Sequence, residues 1–302
     1  MFWSSDAALA DAFAAQGHAV RRSRWLRDAT AVRTLLLFPL LAGWLVATGY
    51  THLYHRAAEG YRTVLMLTLV EKVVLTPIAR YLGYRVLWGH HAPLGRWFFR
   101  NPLLPLWRWW SGGIIIITPS RAMRAELERA QPRGQIAVVP NPVELPPVSA
   151  TAGEQFRKAH HLATDRLLIG SAGRLAPEKR PAWLLELAGA YPEQEFVIAG
   201  DGPLRHEIEQ IISSKALANV RLLGQLERHD LAAFYRAIDI LCLCPRYETF
   251  CLVAAEARLS GTPVVAPAVG GIPEVIPDEE AGLLFTPDDL TDAKLVLGRL
   301  IA

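Results

Sequence analysis

Apolar runs and helical stretches alternate regularly through the C-terminal half of this 302-residue chain. The apolar runs are predicted as strands at residues 167–172, 196–199, 220–223, 238–243, 263–266 and 282–285. The stretches between them are predicted as helices at residues 181–190, 204–213, 229–237 and 250–259. Because strands that alternate with helices form a parallel sheet covered on both faces, this half is predicted to be a doubly wound α/β domain. Ligands of such sheets bind beyond the carboxyl ends of the strands.

The N-terminal half shows the same alternation less regularly. A helix is predicted at residues 7–16, and strand candidates follow at residues 18–21, 53–56, 85–88 and 114–118. A Pro-rich stretch at residues 145–148 is interpreted as a linker, which places a domain boundary near residue 150. We therefore expect two α/β domains, residues 1–150 and residues 151–302, each long enough for its own core.

Both ends of the chain are expected to fall short of a full domain. Residues 1–6 leave no room for the strand that normally opens a doubly wound domain before its first helix. Residues 288–302 provide a single helix at the other end. The N-terminal domain is therefore expected to be incomplete, and the C-terminal helical region to be cut short.

The composition favours a folded protein without a disulfide framework. Hydrophobic residues make up 51% of the chain and charged residues 20%, which excludes an intrinsically disordered protein. The net charge of +3 is too small to indicate a nucleic-acid partner. Cys242, Cys244 and Cys251 have no nearby histidines, so the pair on a predicted strand indicates core packing rather than a metal site. No signal peptide is recognisable, and a reducing cytoplasm is the expected location.

Two features bear on membrane contact. Residues 34–50 are apolar over 17 positions and contain one proline and two glycines, so we interpret them as a buried or membrane-surface helix, with a span as the alternative. Basic and aromatic residues also interleave, at Arg21, Arg22, Arg24, Trp25, Arg27, Arg96, Trp97, Phe98, Phe99, Arg100, Trp107, Arg108, Trp109 and Trp110. Such a mixture suits the headgroup layer of an anionic bilayer, and an ordinary basic surface over a core of aromatics is the alternative.

Two carboxylates, Glu248 and Glu256, lie eight residues apart in the apolar stretch YETFCLVAAEA. A carboxylate in an apolar helix is costly unless it has a polar partner. Glu248 precedes a predicted helix and Glu256 lies two turns inside it, so about 12 Å of helix axis separates them. They cannot share a proton and are expected to contact different parts of one extended ligand. For Glu248, a favourable interaction with the helix N-terminus is the structural alternative.

Cations and glycines follow other predicted strands. Gly173 opens a turn that carries Arg174 and Lys179, and two fixed cations can neutralise the charge that develops on a departing diphosphate. A solvated charged loop is the alternative for this turn. Gly270 and Gly271 precede a helix that is predicted to begin near Pro273, where backbone N–H groups can approach a phosphate.

In their order and spacing, these motifs resemble those of the retaining glycosyltransferases of family 4, which have the GT-B fold. Glu248 and Glu256 resemble the E-x7-E signature of that family, and Arg174 and Lys179 match its G-R-x4-K segment. The resemblance implies two Rossmann-like domains that face a cleft. It also implies retaining transfer of a hexose from a nucleotide-diphosphate sugar to an acceptor hydroxyl on a sugar, glycan or lipid-linked molecule, in the synthesis of a surface polysaccharide or glycolipid.

The resemblance implies a role for each candidate residue. Arg174 and Lys179 would hold the donor diphosphate, so that no metal ion or other cofactor is expected. Glu248 would lie near the transferred sugar, and Glu256 would accept hydrogen bonds from the ribose hydroxyls. The remaining donor-side residues are Gly173, Gly202, Gln225, Leu226, Gly270 and Gly271, of which Gln225 and Leu226 belong to the segment that meets the nucleobase. For the segment around Gly202, a tight turn is the structural alternative and is favoured.

From the N-terminal, acceptor-side domain, His91 is expected to contact the donor sugar or the acceptor, with His90 as the second candidate. A histidine packed at a strand end is the structural alternative. Thr118–Ser120 and residues 140–144 also resemble family segments, and both are interpreted as structural. The chain departs from the family at Thr249 and Cys251, where glycines are common.

Two other functions remain open at this point. The first is a sugar-nucleotide epimerase with the GT-B fold, which would convert the donor without an acceptor. The second is a truncated chain that binds a nucleotide without turnover. For the favoured function, location at the inner face of the cell membrane would fit a lipid-linked acceptor.

Overall fold

A computed structural model describes residues 55–56, 62–66, 72, 76–81, 84–102 and 104–302. The chain divides into two compact units, Met1–Pro142 and Val143–Ala302, so the division falls ahead of the predicted boundary near residue 150. The elements predicted at residues 7–16, 18–21 and 34–50 lie outside the described residues, as does the basic cluster at residues 21–27. Within the described ranges, no helix has both the length and the apolar character that crossing a bilayer requires.

The described part of the first unit contains a five-stranded sheet in which the strands follow one another in chain order. Its strands are β1 (His55–Arg56), β2 (Arg62–Met66), β3 (Tyr84–Gly89), β4 (Ile115–Thr118) and β5 (Gln135–Val138). Its helices are α1 (Thr76–Tyr81), α2 (Arg96–Phe99), α3 (Leu104–Trp110) and α4 (Arg121–Arg129). β1 is antiparallel to β2, and the other pairs are parallel. The strands predicted at residues 85–88 and 114–118 are confirmed, whereas β2 and β5 were not predicted.

Aromatic residues form part of the core of the first unit. The indole Nε1 of Trp88 donates to Oγ1 of Thr76 over 3.0 Å, and its ring lies 5.6 Å from that of Trp107. Phe98 packs edge-on against Trp107, with ring centroids 5.2 Å apart. Trp109, by contrast, is 58% exposed. The aromatic residues of this set whose side chains are described are therefore divided between the core and the surface.

The segment that precedes α4 has the structural role predicted for it. The hydroxyl of Ser120 accepts a hydrogen bond from the backbone N–H of Met123 over 3.2 Å, and so caps the helix. An N-cap serine satisfies a backbone donor that would otherwise lack an intrahelical partner.

The second unit contains a six-stranded parallel sheet. Its strands are β6 (Leu168–Ala172), β7 (Glu195–Ala199), β8 (Val220–Gly224), β9 (Ile240–Cys242), β10 (Val264–Pro267) and β11 (Gly282–Phe285). Its helices are α5 (Ala152–Ala159), α6 (Pro181–Ala190), α7 (Arg205–Ser214), α8 (Arg228–Ala237), α9 (Leu252–Leu259), α10 (Ile272–Val275) and α11 (Leu290–Ile301). All six predicted strands and all four predicted helices of this half are confirmed.

Alternate residues of these strands enter separate cores on the two faces of the sheet. On β7, Phe196 and Ile198 belong to one buried cluster, whereas Val197 and Ala199 belong to the other. This division follows from the two-residue period of a strand. Because both faces are covered by helices, the strands are mainly apolar, which made them visible in the sequence.

The strand order locates the place where a ligand is expected. The order is β11-β10-β9-β6-β7-β8, so the first and fourth strands of the unit, β6 and β9, are neighbours. This is the Rossmann order, in which the connections run in opposite directions on either side of the central pair and leave a crevice beyond its carboxyl ends. The prediction of a Rossmann-like domain is confirmed for this unit.

Candidate functional site

A cleft lies beyond the carboxyl ends of β6 and β9, where the strand order reverses. Its empty volume is about 430 Å³, and its walls come mainly from the turn after β6 and the segment after β9. Four of the predicted site residues line it, namely Gly173, Arg174, Lys179 and Glu248. Two loops that are far apart in the sequence therefore form one polar site.

Lys179 and Glu248 form an ion pair across this cleft, with Nζ of the lysine donating to Oε1 of the glutamate. The side chains are 34% and 18% exposed, so both charges are partly withdrawn from water. Removing one member of such a pair leaves the other charge without its counter-ion, at a cost that increases with the burial of that charge. Lys179, which is predicted to contact the diphosphate, is thus paired with Glu248, which is predicted to contact the sugar. This pairing was not predicted from the sequence.

Arg174 is more exposed than Lys179. Its guanidinium pairs with Glu178, four residues further along the chain, and both side chains are 46% exposed. An exposed pair of this kind holds its members weakly, because water competes for both charges. Arg174 can therefore leave Glu178 for a stronger anion in the cleft. Gly173, directly before it, has a φ of +146°, which explains why a glycine follows β6.

Arg180 is a buried arginine that the sequence analysis missed. Its Nε donates to the carbonyl oxygen of Cys244 over 2.9 Å, and its Nη2 donates to that of Pro245 over 3.0 Å. Its Nη1 pairs with Asp288, and its guanidinium lies 4.1 Å above the ring of Trp183. A sequence signal for Arg180 was available, because it is a second cation directly after Lys179 and directly before Pro181, where a helix begins.

Gly270 and Gly271 allow two loops to approach each other. A Cβ at Gly270 would lie 1.9 Å from the carbonyl oxygen of Glu248, and one at Gly271 would lie 2.4 Å from that of Thr249. The N–H of Gly271 donates to the carbonyl oxygen of Glu248 over 2.9 Å. That donor is therefore engaged within the protein, and this pair of glycines supports the loop that carries Glu248. The predicted phosphate contact of the pair remains a prediction.

Gly202 has a similar place beside the turn that follows β6. A Cβ there would lie 2.5 Å from the carbonyl oxygen of Leu175. The N–H of Leu175 in turn donates to the carbonyl oxygen of Asp201 over 3.0 Å. The structure therefore shows a tight turn packed on the cleft wall, which is the structural alternative for this segment. Gln225 and Leu226 follow β8, with Gln225 exposed and Leu226 packed against the core.

Glu256 is half-buried on α9, and its Oε2 accepts a hydrogen bond from the hydroxyl of Tyr235 over 2.8 Å. Burial raises the pKa of Glu256, while the hydrogen bond from Tyr235 and the charge of Arg228 lower it less strongly. Burial, together with the charge of this carboxylate, raises the pKa of Tyr235 well above its usual value. When it is ionised, this carboxylate is a strong acceptor for hydroxyl groups that enter its site.

Cys251 caps α9 with a φ of +75°, a backbone conformation that glycine adopts more readily. The position at which the family often has glycine therefore keeps a glycine-like backbone with a cysteine side chain. Its thiol is buried, and burial raises its pKa far above the usual value. Cys242 and Cys244 are buried in the core cluster, as predicted. Among the described residues, no three His, Cys, Asp or Glu side chains are grouped as a metal site.

His90 and His91 follow β3 in the first unit. Nε2 of His90 and both ring nitrogens of His91 are buried without a hydrogen-bond partner among the described residues. Burial and the nearby ammonium of Lys72 lower the pKa of His90 to about 3 and that of His91 to about 4. Both rings are therefore neutral at pH 7, and a neutral imidazole offers one donor and one acceptor to a hydroxyl-rich ligand. Their predicted contact with the donor sugar or acceptor remains a prediction.

Residues 153–301 match the family described as glycosyl transferases group 1. One relative is the D-inositol 3-phosphate glycosyltransferase of Mycolicibacterium smegmatis, 33% identical over 186 residues that cover 59% of this chain and 43% of the relative. The enzyme of the same name from Xylanimonas cellulosilytica is 37% identical over 194 residues, which cover 60% and 45%. The chain thus spans less than half the length of these curated relatives.

Solved structures share the fold. Sucrose-phosphate synthase from Thermosynechococcus elongatus has a TM-score of 0.73 and 22% identity, over 93% of this chain and 72% of that one. HepE from Anabaena, in complex with UDP and glucose, has a TM-score of 0.73 and 22% identity, over 88% and 73% of the two chains. These likenesses confirm the predicted GT-B class of α/β protein.

Proposed function

We propose that this protein, in which residues 153–301 match the glycosyl transferases group 1 family, transfers a hexose from a nucleotide-diphosphate sugar to an acceptor hydroxyl. One observation carries the proposal. Lys179, Arg174 and Glu248 meet in a cleft at the reversal of a Rossmann-ordered sheet, where nucleotides bind in this class of fold. HepE, which has the same fold, was solved with UDP and glucose, and this supports a nucleotide sugar as the donor.

Lys179 and Arg174 are proposed to neutralise the departing diphosphate. A lysine ammonium has three donors, so Lys179 can keep its bond to Glu248 and still donate to a phosphate oxygen. Arg174 can exchange its exposed partner Glu178 for the same anion. Fixed cations placed where negative charge develops lower the barrier to departure of a leaving group. In this proposal Lys179 and Arg174 neutralise the charge of the diphosphate, and no metal ion is assigned a role.

The reaction is proposed to retain the configuration of the transferred sugar. The bond between the anomeric carbon and the phosphate oxygen breaks, and its electron pair stays on that oxygen. The acceptor oxygen bonds to the anomeric carbon from the same face, and its proton passes to the departing phosphate oxygen. Glu248 is assigned a contact with the sugar and Glu256 a contact with the ribose hydroxyls, and no enzymic nucleophile is assigned. His91, with His90 second, is assigned to the acceptor side.

The acceptor is proposed to be a sugar, a glycan or a lipid-linked molecule used in surface polysaccharide or glycolipid synthesis. Two exposed aromatic residues of the first unit support contact with a membrane surface, since Tyr81 is 91% exposed and Trp109 is 58% exposed. A hydrogen bond of 2.8 Å from Arg80 to the carbonyl oxygen of Gly112 joins the end of α1 to the turn after α3. Aromatic and basic side chains together favour the headgroup layer. Co-sedimentation with anionic vesicles, compared between wild type and a Tyr81→Ser/Trp109→Ser variant, tests this contact.

The central proposal is tested with purified protein and a panel of UDP-, GDP- and ADP-sugars. Arg174→Ala and Lys179→Ala are each expected to lower turnover roughly tenfold to a hundredfold, the range of one charged hydrogen bond. Lys215→Ala is the matched control, because this lysine pairs with Glu186 outside the cleft and its loss is expected to leave turnover unchanged. Unchanged turnover in folded Arg174→Ala and Lys179→Ala would contradict the proposal.

Product analysis separates this function from the two alternatives. A transferase forms a glycoside only when an acceptor is present, whereas an epimerase converts the donor sugar in the absence of an acceptor. A chain that only binds the nucleotide gives neither product, although it shows affinity for the nucleoside diphosphate. The anomeric configuration of the glycoside, read by NMR, tests retention.

A further inference from the structure

The buried Arg180 joins two walls of the cleft, although the proposed reaction gives it no step. Its side chain is 7% exposed, and its guanidinium donates to the carbonyl oxygens of Cys244 and Pro245. These two carbonyls begin the segment that leads from β9 to Glu248. The planar fork of an arginine can hold two such acceptors at once, which the single ammonium of a lysine cannot do in the same geometry.

Two backbone hydrogen bonds connect the segment held by Arg180 to neighbouring turns. The N–H of Arg246 donates to the carbonyl oxygen of Glu178 over 2.9 Å, which ties the same segment to the turn that carries Lys179. The N–H of Gly271 donates to the carbonyl oxygen of Glu248 over 2.9 Å. The turns after β6, β9 and β10 are thus connected, and the side chains of Arg180 and Lys179 both bridge the first two.

The backbone at Arg180 adopts a conformation unusual for an arginine. Its φ of +48° lies in the left-handed region, and its ionic partner Asp288 has a φ of +59°. Such conformations persist when the surrounding contacts determine them, and they concentrate at functional sites. This turn directs the side chain of Lys179 toward the cleft and the side chain of Arg180 toward the loop after β9.

We propose that Arg180 is a positioning residue for donor binding. It fixes the segment of residues 244–248 against the turn of residues 177–180, so that Glu248 meets Lys179 and the ammonium of Lys179 faces the donor diphosphate. The inference rests on the proposed function, because it assigns Arg180 an effect on a ligand through Lys179. Arg180 itself does not touch the donor in this scheme.

A double-mutant cycle on UDP affinity tests the inference. Arg180→Gly removes the side chain at a φ that glycine adopts readily, and Lys179→Met removes the cation. Each single change is expected to weaken UDP binding, measured by calorimetry, roughly tenfold or more. This is the effect of losing one charged hydrogen bond. The double variant is expected to bind no more weakly than Lys179→Met alone. Losses that multiply in the double variant would overturn the inference.

Hydrogen exchange gives a readout that does not depend on the ligand. The amide of Arg246 is expected to exchange faster in Arg180→Gly than in wild type, while Lys179→Met leaves that amide protected. Asp288→Asn is the control, because it weakens the ionic contact of Arg180 but leaves the two carbonyl contacts in place. Unchanged protection of Arg246 in folded Arg180→Gly would also overturn the inference.

Arg180→Lys provides a second variant that keeps the positive charge. Relative to Arg180→Gly, it is expected to restore part of the fold stability but little of the UDP affinity, because an ammonium cannot reproduce the geometry with which the guanidinium fork holds both carbonyls. Full restoration of affinity by lysine would show that charge alone matters and would contradict a positioning role. If wild type binds none of UDP, ADP and GDP, the proposed function fails, whereas the exchange result at Arg246 still decides whether Arg180 orders the loop.

Discussion

Glu256 is a carboxylate whose surroundings favour its neutral form, because burial raises its pKa above the usual value of 4.5. Such a group contributes stability that is fully present at a pH below the pKa of the unfolded chain. The contribution is lost as the pH rises through the higher pKa of the folded state. Once ionised, the side chain therefore opposes folding, although its charge suits a contact with ribose hydroxyls.

Glu256→Gln is therefore expected to raise the free energy of unfolding at pH 7. The advantage over wild type is expected to shrink as the pH falls toward the ordinary carboxyl pKa, where wild-type Glu256 is also neutral. The same variant is expected to bind the donor nucleotide roughly tenfold to a hundredfold more weakly, since a charged acceptor is lost. Urea denaturation at several pH values measures the first effect, with Glu279→Gln as an exposed control. A stability difference independent of pH would contradict the assignment.

Cys251 allows backbone strain to be separated from side-chain packing, because its φ is +75°. Cys251→Ala and Cys251→Gly both remove the buried thiol, but only glycine adopts this backbone readily. We expect the glycine variant to be more stable than the alanine variant by about 1 kcal/mol. Glycine relieves the backbone strain, and part of that gain is offset by the greater entropy of its unfolded chain. Chemical denaturation of the two variants measures this difference directly. An alanine variant of equal or greater stability would show that the loop relaxes without strain.

Between elements, Gly270 is the position at which the turn after β10 supports the Glu248 loop. Gly270→Ala would place a Cβ 1.9 Å from the carbonyl oxygen of Glu248, at a φ of +52°. Gly261 is a matched control, because its φ is +80° but nothing lies within 4 Å of an added Cβ. We expect Gly261→Ala to cost about 1 kcal/mol and Gly270→Ala about 3 kcal/mol or more, because a backbone clash is added to the strain.

Gly270→Ala is also expected to weaken UDP binding, because the loop must move away and carry Glu248 with it. Gly261→Ala is expected to leave the affinity unchanged. Denaturation and calorimetry on the same two variants separate the effects. Equal stability losses in the two variants would show that the close approach of the loops does not constrain the site.

The elements of the second unit were predictable because strands covered on both faces are mainly apolar and are bounded by helices. β2 and β5 were missed for different physical reasons. Arg62–Met66 has no period that separates a strand from a buried helix, and Gln135–Val138 is short and only partly buried. Among the site residues, the members of each turn could be found from local spacing. The pairing of Lys179 with Glu248 could not, because 69 residues separate them and only the strand order makes them neighbours.

For the whole molecule, the proposed donor residues lie in the second unit and His91 lies in the first. The second unit has buried clusters on both faces of its own sheet, and its length is in the ordinary range of a domain. Its first residues are held to it as well. Leu145 and Val148 pack against the core, and Arg228 donates to the carbonyl oxygen of Glu144 over 2.5 Å.

A fragment of residues 143–302 is therefore expected to unfold cooperatively and to bind UDP with the affinity of the full chain, while forming no glycoside. A fragment of residues 151–302, cut at the boundary predicted from the sequence, lacks Leu145 and Val148. It is expected to be less stable by about 2 kcal/mol, because two partly buried apolar side chains are lost. Thermal unfolding and calorimetry of the two fragments measure stability and affinity separately. Loss of UDP binding in a folded fragment of residues 143–302 would show that the first unit supplies part of the nucleotide site, and would contradict the assignment of the donor to the second unit alone.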